Sequence, residues 1–263
     1  MSHDSTLLAA LIAVTAVVAA PAPASASTIA TTTATATTST TTTTEVAYEL
    51  HTKYSNEYLF RGLNYGHGLV EVGADASAEL RGVGLSAGVW YGSFQNNAVP
   101  GLGSPHQDAI ELDLYGQVSK NFRWCTGSLG YIYRYFEAND HNSLNSQEVV
   151  FSLSHQFWGV DTSLTYFWGV EQASDGYSEL ALGKGFELCR SLILNGEVAL
   201  GYLAERGQLT ALTSKLSLDW SVTSTATVSP FVKWSIALSD DNDSAYRGSK
   251  NQLVGGIILA VAF

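Results

Sequence analysis

Between Val46 and Phe263, apolar and polar residues alternate with a period of two, in run after run. Polar breaks rich in Gly, Asn and Ser separate the runs. The clearest run is 69–80. There Val70, Val72, Ala74, Ala76, Ala78 and Leu80 share one face, and Glu71, Gly73, Asp75, Ser77 and Glu79 share the other. Successive side chains of an extended strand point to opposite faces, so each run predicts a strand with one oily and one polar face. Twelve strands are predicted, over 46–54, 69–80, 84–94, 108–119, 124–136, 147–157, 160–171, 177–186, 192–202, 210–220, 225–237 and 251–263.

The breaks sort by length. Short ones (81–83, 120–123, 158–159, 187–191, 221–224) alternate with mostly longer, polar ones (55–68, 95–107, 137–146, 172–176, 203–209, 238–250). Tight turns at one end and longer loops at the other, with an even strand count, are the habit of an outer-membrane barrel; a soluble sandwich has no reason to sort its loops this way. Trp124, Trp158 and Trp220 fall at the short-turn ends, and Trp90, Trp168 and Trp234 toward the long-loop ends. Two such rings are the aromatic girdles of two membrane–water interfaces. In the last run, Leu253, Gly255, Ile257, Leu259, Val261 and Phe263 share a face opposite the small Gly256, Ala260 and Ala262. This strand is expected to pair with the first, near Val46, and so abolish the open edges. Within it Gly256, Leu259, Val261 and Phe263 resemble the C-terminal signal read by bacterial barrel-assembly machinery. The expected fold class is all-β, a transmembrane antiparallel up-and-down β-barrel of about twelve strands.

Targeting fits that reading. Leu7 to Ala20 is an uninterrupted apolar run of 14 residues, followed by Pro21, Pro23 and an A-x-A site at Ala24–Ala26. As a helix it would span roughly 21 Å, short of a roughly 30 Å hydrocarbon core, so residues 1–26 are expected to be a secretory signal peptide. Its n-region carries no Lys or Arg. Residues 27–44, a Thr/Ala tract without charge, cannot bury enough surface to offset ordering and are expected to be a disordered lead-in. The barrel domain is then 45–263.

Charge narrows the partners. A formal net charge of −11 argues against nucleic acid, whose phosphates would be repelled. The predicted inner wall carries Glu49, Glu71, Asp75, Glu79, Glu111, Asp113, Glu148, Asp161, Glu179, Glu197 and Asp219 against Lys53, Arg134, Lys215 and Lys233. With acids in excess, a water-filled lumen would favour cations. The competing expectation is that these residues salt-bridge and plug a narrow interior.

Candidate chemistry is sparse. His141-Asn142-Ser143 is an H-x-S pair like the dyad of lipid-cleaving outer-membrane barrels, but it falls in a predicted loop. Asp240, Asp241 and Asp243 cluster in the last long loop without the Gly and distal Glu of an EF-hand. Cys125 and Cys189 map to the short-turn end about three strand spacings apart, beyond disulfide reach. No catalytic, cofactor-binding or metal-binding set stands out.

At Ser55–Gly62 the chain reads S-N-E-Y-L-F-R-G, followed by an acidic alternating strand. Through Tyr58, Phe60, Arg61 and Gly62 it resembles the TorF-type porin family of small bacterial outer-membrane barrels. The resemblance implies a porin-like role. From the residues themselves, Arg61 in a first outer loop is expected to reach Glu71 or Asp75 and pin that loop. The function expected is passive diffusion of small polar, cationic solutes across the outer membrane. The expected surroundings are lipid bilayer, lipopolysaccharide and the assembly machinery. The alternatives are a closed scaffolding barrel and an outer-membrane lipid hydrolase.

Overall fold

The computed structural model describes residues 45–103, 106–170, 176–239 and 250–263, together with a two-residue pairing of Ile12–Ala13 with Thr33–Ala34. Apart from that pairing, the expected signal peptide and lead-in lie outside the described residues, as does the Asp240–Asp243 cluster. Twelve strands follow: β1 (Val46–Phe60), β2 (Leu63–Leu80), β3 (Val83–Gln95), β4 (Ala109–Asn121), β5 (Thr126–Ala138) and β6 (Ser143–Phe157), then β7 (Val160–Gly169), β8 (Tyr177–Cys189), β9 (Leu192–Leu203), β10 (Gln208–Ser221), β11 (Ala226–Ala237) and β12 (Gln252–Ala262). Each pairs antiparallel with its chain neighbours, and β12 pairs with β1, so the sheet is a closed barrel.

Closure runs from Gly256 opposite Ser55 to Ala262 opposite Glu49. It ends with Phe263 N donating to Tyr48 O and Tyr48 N to Phe263 O, both at 3.0 Å. Gly256 has a local reason to be glycine. A Cβ there would lie 2.3 Å from the Tyr54 carbonyl oxygen and 2.6 Å from the Phe231 ring, which lies across it from β11. The inner face of β12 is less bare than its small residues suggest, because Val254 and Ile258 also point inward and are buried.

The alternation sorts as expected. Leu50, Val72, Leu114, Leu129, Leu164 and Leu259 are exposed on the outside. Apart from Leu259, whose neighbours are Ile258 and Ala260, their inward-facing neighbours are mostly carboxylates, hydroxyls and glycines. An exposed apolar belt around a closed sheet is a lipid-facing wall, since closure leaves the barrel no unpaired edge strand. Trp124, Trp158 and Trp220 are exposed at the short-turn end, and Trp168 and Trp234 toward the other. Trp90 departs from the expected outer girdle: it points into the lumen and is only 2% exposed.

The largest departure is at 55–68, expected to be a long outer loop. Instead β1 and β2 run on as a ladder to a two-residue turn, with Phe60 opposite Leu63. Arg61 and Gly62 both have positive φ (50° and 87°), as a type I′ hairpin turn requires. The same device closes the short turns at Arg81-Gly82 and Trp158-Gly159. Two other outer connections shrink as well, because β5 runs to Ala138, β6 starts at Ser143, and only 204–207 separate β9 from β10. Loop length therefore sorts less strictly by end than the sequence suggested.

Candidate functional site

The hairpin tip does not stand up into solvent. In β1 the alternation of buried and exposed residues ends at Glu57, and Tyr58, Leu59 and Phe60 are all buried. Register shifts after Tyr58 in the β1–β2 ladder and between His67 and Val70 in β2–β3 bend the tip inward. Bending gives its apolar side chains somewhere to go. Tyr58 packs edge-on against Tyr65 and Phe94, with Trp90 beyond, and Phe60 stacks on Tyr65 at 4.8 Å. The connection after β3 folds over the same cluster. Its Val99 and Leu102 are buried, Ala98 N donates to Tyr65 O at 2.8 Å, and Asn97 bonds both Val99 N and Leu102 O.

The tip crosses to the far wall. A Cβ on Gly62 would meet the Ala211 Cβ of β10 at 2.4 Å, so the tip fits there only as glycine. Arg61 lies over the rings of Phe60, Phe167 and Tyr177 at 4.2–4.8 Å from their centroids. Its two terminal nitrogens donate to the two oxygens of Glu148 on β6, each at 2.7 Å. The expected partners, Glu71 and Asp75, belong to β2 itself; the tip has carried Arg61 away from them, and Glu71 instead holds Lys53 at 2.6 Å. Glu148 also accepts from Arg134 at 2.6 Å, and Arg134 Nε lies 3.3 Å from Asp113. Tyr58 donates to Glu111 at 2.5 Å. Arg61, Glu148, Arg134 and Asp113 thus form one charge-alternating chain beneath the hairpin, with the Tyr58–Glu111 bond beside it. Paired this way, charges can be buried at tolerable cost.

This corrects the expectation of an open water column lined by all the inner-wall residues. Lys53, Glu71, Glu111, Asp113 and Arg134 face inward but are buried, and Glu148 is largely enclosed, because the hairpin fills the outer half of the lumen. The inner half differs. Glu79 and Asp161 are exposed there, Asp161 accepts from Gln156 at 2.9 Å, and Asp219 accepts from Asn195 at 2.7 Å. Glu49 and Asp75 lie opposite one another across β1 and β2. Midway up, Lys215 and Lys233 are directly paired on β10 and β11. With Lys53 they border a cavity of about 30 Å³, room for about one water molecule. Glu197 is the cross-strand neighbour of Lys215, and Glu179 accepts from Tyr177 at 3.2 Å.

Among the described residues, the remaining candidates do not assemble into a reaction centre. His141 sits in the turn before β6, highly exposed and 3.7 Å from Glu137, while Ser143 begins β6 opposite Glu137. Cys125 and Cys189 are free thiols. Sequence reading missed Tyr65, Trp90, Phe94 and Leu102 as parts of the plug. It put His51 on the inner face of β1 with Glu49 and Lys53 but assigned it no role.

A closed, lipid-facing barrel with a polar interior is the architecture of a bacterial outer-membrane β-barrel. Over residues 33–253 the sequence matches a family described as "Bacterial protein of unknown function (Gcw_chp)", and the chain belongs to that family. The TorF-type resemblance remains one of motif. No curated protein matches in sequence. Among solved structures, the chain is similar to the KdgM porin, with 9% identity over 82% of this chain and 99% of that one and a TM-score of 0.46. It is similar to an outer membrane channel from Pseudomonas putida F1, with 9% identity over 83% and 95% and a TM-score of 0.48. It is also similar to outer membrane phospholipase A from Escherichia coli, with 15% identity over 82% and 89% and a TM-score of 0.46.

Proposed function

We propose that the protein is an outer-membrane channel for small polar solutes, preferring cations, whose outer mouth is held shut by its own first hairpin. The observation that carries this reading is the contrast between wall and plug. The wall beneath the hairpin is hydroxyl- and carboxylate-rich, as a water path requires. The plug is fastened to the far wall by the Arg61–Glu148 pair, and water can replace those hydrogen bonds when the tip lifts. The excess of carboxylates on the inner half sets the charge preference. The barrel reaches its place through the assembly machinery, which reads the Gly256, Leu259, Val261 and Phe263 segment, and it sits among lipopolysaccharide.

Planar-bilayer recording tests the reading. The parent should show brief or small conductance steps with a cation-selective reversal potential. Arg61→Ala should lengthen the open time or enlarge the steps. Silence in both proteins would leave the closed scaffolding barrel, which the packed outer mouth favours as the second reading. Anion preference would remove the argument from the acidic wall.

A further inference from the structure

The inner half of the lumen holds a set of side chains to which the channel reading gives no role beyond the charge of its carboxylates. Glu49 and Asp75 are directly opposed on β1 and β2, and like charges so placed repel. His51 lies between them, its Nδ1 3.4 Å from Asp75 Oδ2 and 4.0 Å from Glu49 Oε1. Both Glu49 Oε1 and His51 Nδ1 are shielded from solvent, and neither makes a hydrogen bond. The donor atoms of all three residues lie within 4.8 Å of one another.

The surroundings are shaped to hold this arrangement. The imidazole lies against Gly73, where a Cβ would come within 2.3 Å of Cε1 and Nε2. Tyr115 donates to Asp75 Oδ1 at 2.6 Å, which fixes that carboxylate and leaves Oδ2 turned to the histidine. Gly88 makes room for this bond, since a Cβ there would lie 2.4 Å from Asp75 Oδ1 and 2.5 Å from the Tyr115 hydroxyl.

From this geometry we infer that Glu49, His51 and Asp75 form a binding site for a divalent transition-metal cation of the Zn²⁺ type, opening to the periplasmic half of the lumen. One borderline imidazole nitrogen and two hard carboxylate oxygens are donors that Zn²⁺ accepts together, and three protein ligands leave a fourth position for water. Zinc–ligand bonds of about 2.0–2.2 Å put tetrahedral neighbours roughly 3.4 Å apart, so Nδ1 and Oδ2 already stand at bonding separation. Glu49 needs only to close toward them. Tyr115 is the outer hydrogen-bond partner that such a ligand carboxylate usually has. The site lies on strands that stay paired whether or not the hairpin lifts, so it is independent of gating.

The test uses untagged full-length protein, folded in detergent, stripped with chelator and titrated calorimetrically with Zn²⁺ at neutral pH. Co²⁺ provides a second readout through its visible absorption. One Zn²⁺ per chain is expected, with binding lost in His51→Gln and Glu49→Gln and about tenfold or more weaker in Tyr115→Phe. Circular dichroism would confirm that each variant keeps the barrel. His141→Ala, in the exposed outer turn, should bind as the parent does. Two results would overturn the site: no stoichiometric binding in the parent, which leaves a protonated His51 bridging the carboxylates, or binding undiminished in His51→Gln.

Discussion

At the outer end of the lumen, Glu111, Asp113 and Glu148 are sealed beneath aromatic rings and matched to Tyr58, Arg61 and Arg134. At the inner end, Glu79 and Asp161 stand exposed on the same inward face of the same barrel. Residue type does not distinguish the two ends. Water does. Where the hairpin excludes it, a carboxylate must find a donor of comparable strength or lose several kcal/mol, so charges there become cross-links: Arg134 ties the neighbouring strands β4, β5 and β6, while Arg61 and Tyr58 tie the hairpin to β6 and β4. Where water remains, the same group needs no partner and is left to act on whatever enters. The outer half uses its charges to hold shape; on the proposed reading, the inner half leaves them to act on solutes.

The contrast can be broken first at its centre. Glu148→Ala would leave Arg61 and Arg134 enclosed together with no carboxylate between them, at an expected cost of about 3–5 kcal/mol. Denaturant unfolding in detergent should show the loss, and bilayer recording should show a more open mouth. Next comes Gly62→Ala, whose added methyl would strike Ala211 while the backbone stays at positive φ. An expected cost of about 1–3 kcal/mol should appear as a detached tip, with faster proteolysis at 58–66 and longer openings. Tyr58→Phe removes only the bond to Glu111, so about 1–2 kcal/mol of stability should go, with little change in conductance. The smallest thermodynamic effect is expected from Asp161→Asn and Glu79→Gln together. Stability should hold within error, while the reversal potential moves toward anions. If those two substitutions destabilise the barrel as Glu148→Ala does, the two halves are not different in kind.

Much of the architecture could be read directly from the chain. The alternation in 69–80 and its eleven counterparts fixed strand number, facing and closure, because one lipid-facing side imposes period two on every strand. The inner-wall carboxylates followed from the same parity. Trp90 shows the limit, since an aromatic at the right height for a girdle can belong to either face, and parity with Gly88 and Gly92 puts it inside. The first hairpin shows another. Arg61-Gly62 repeats the turn chemistry of Arg81-Gly82, a tight-turn signal overlooked because the polar residues around it resembled a loop.

The sequence by itself determined a twelve-stranded barrel with an oily outside, an acidic inside and a last strand shaped to meet the first. Each of those follows from local periodicity, which every strand carries in its own residues. Only the tertiary structure decided that the first hairpin turns inward, that Arg61 meets Glu148 rather than Glu71 or Asp75, and that Glu49, His51 and Asp75 converge. Those outcomes depend on which residues face one another across a closed curve, on bulges that shift the register, and on glycines whose missing side chains leave room. None of these is written in the spacing of any single strand.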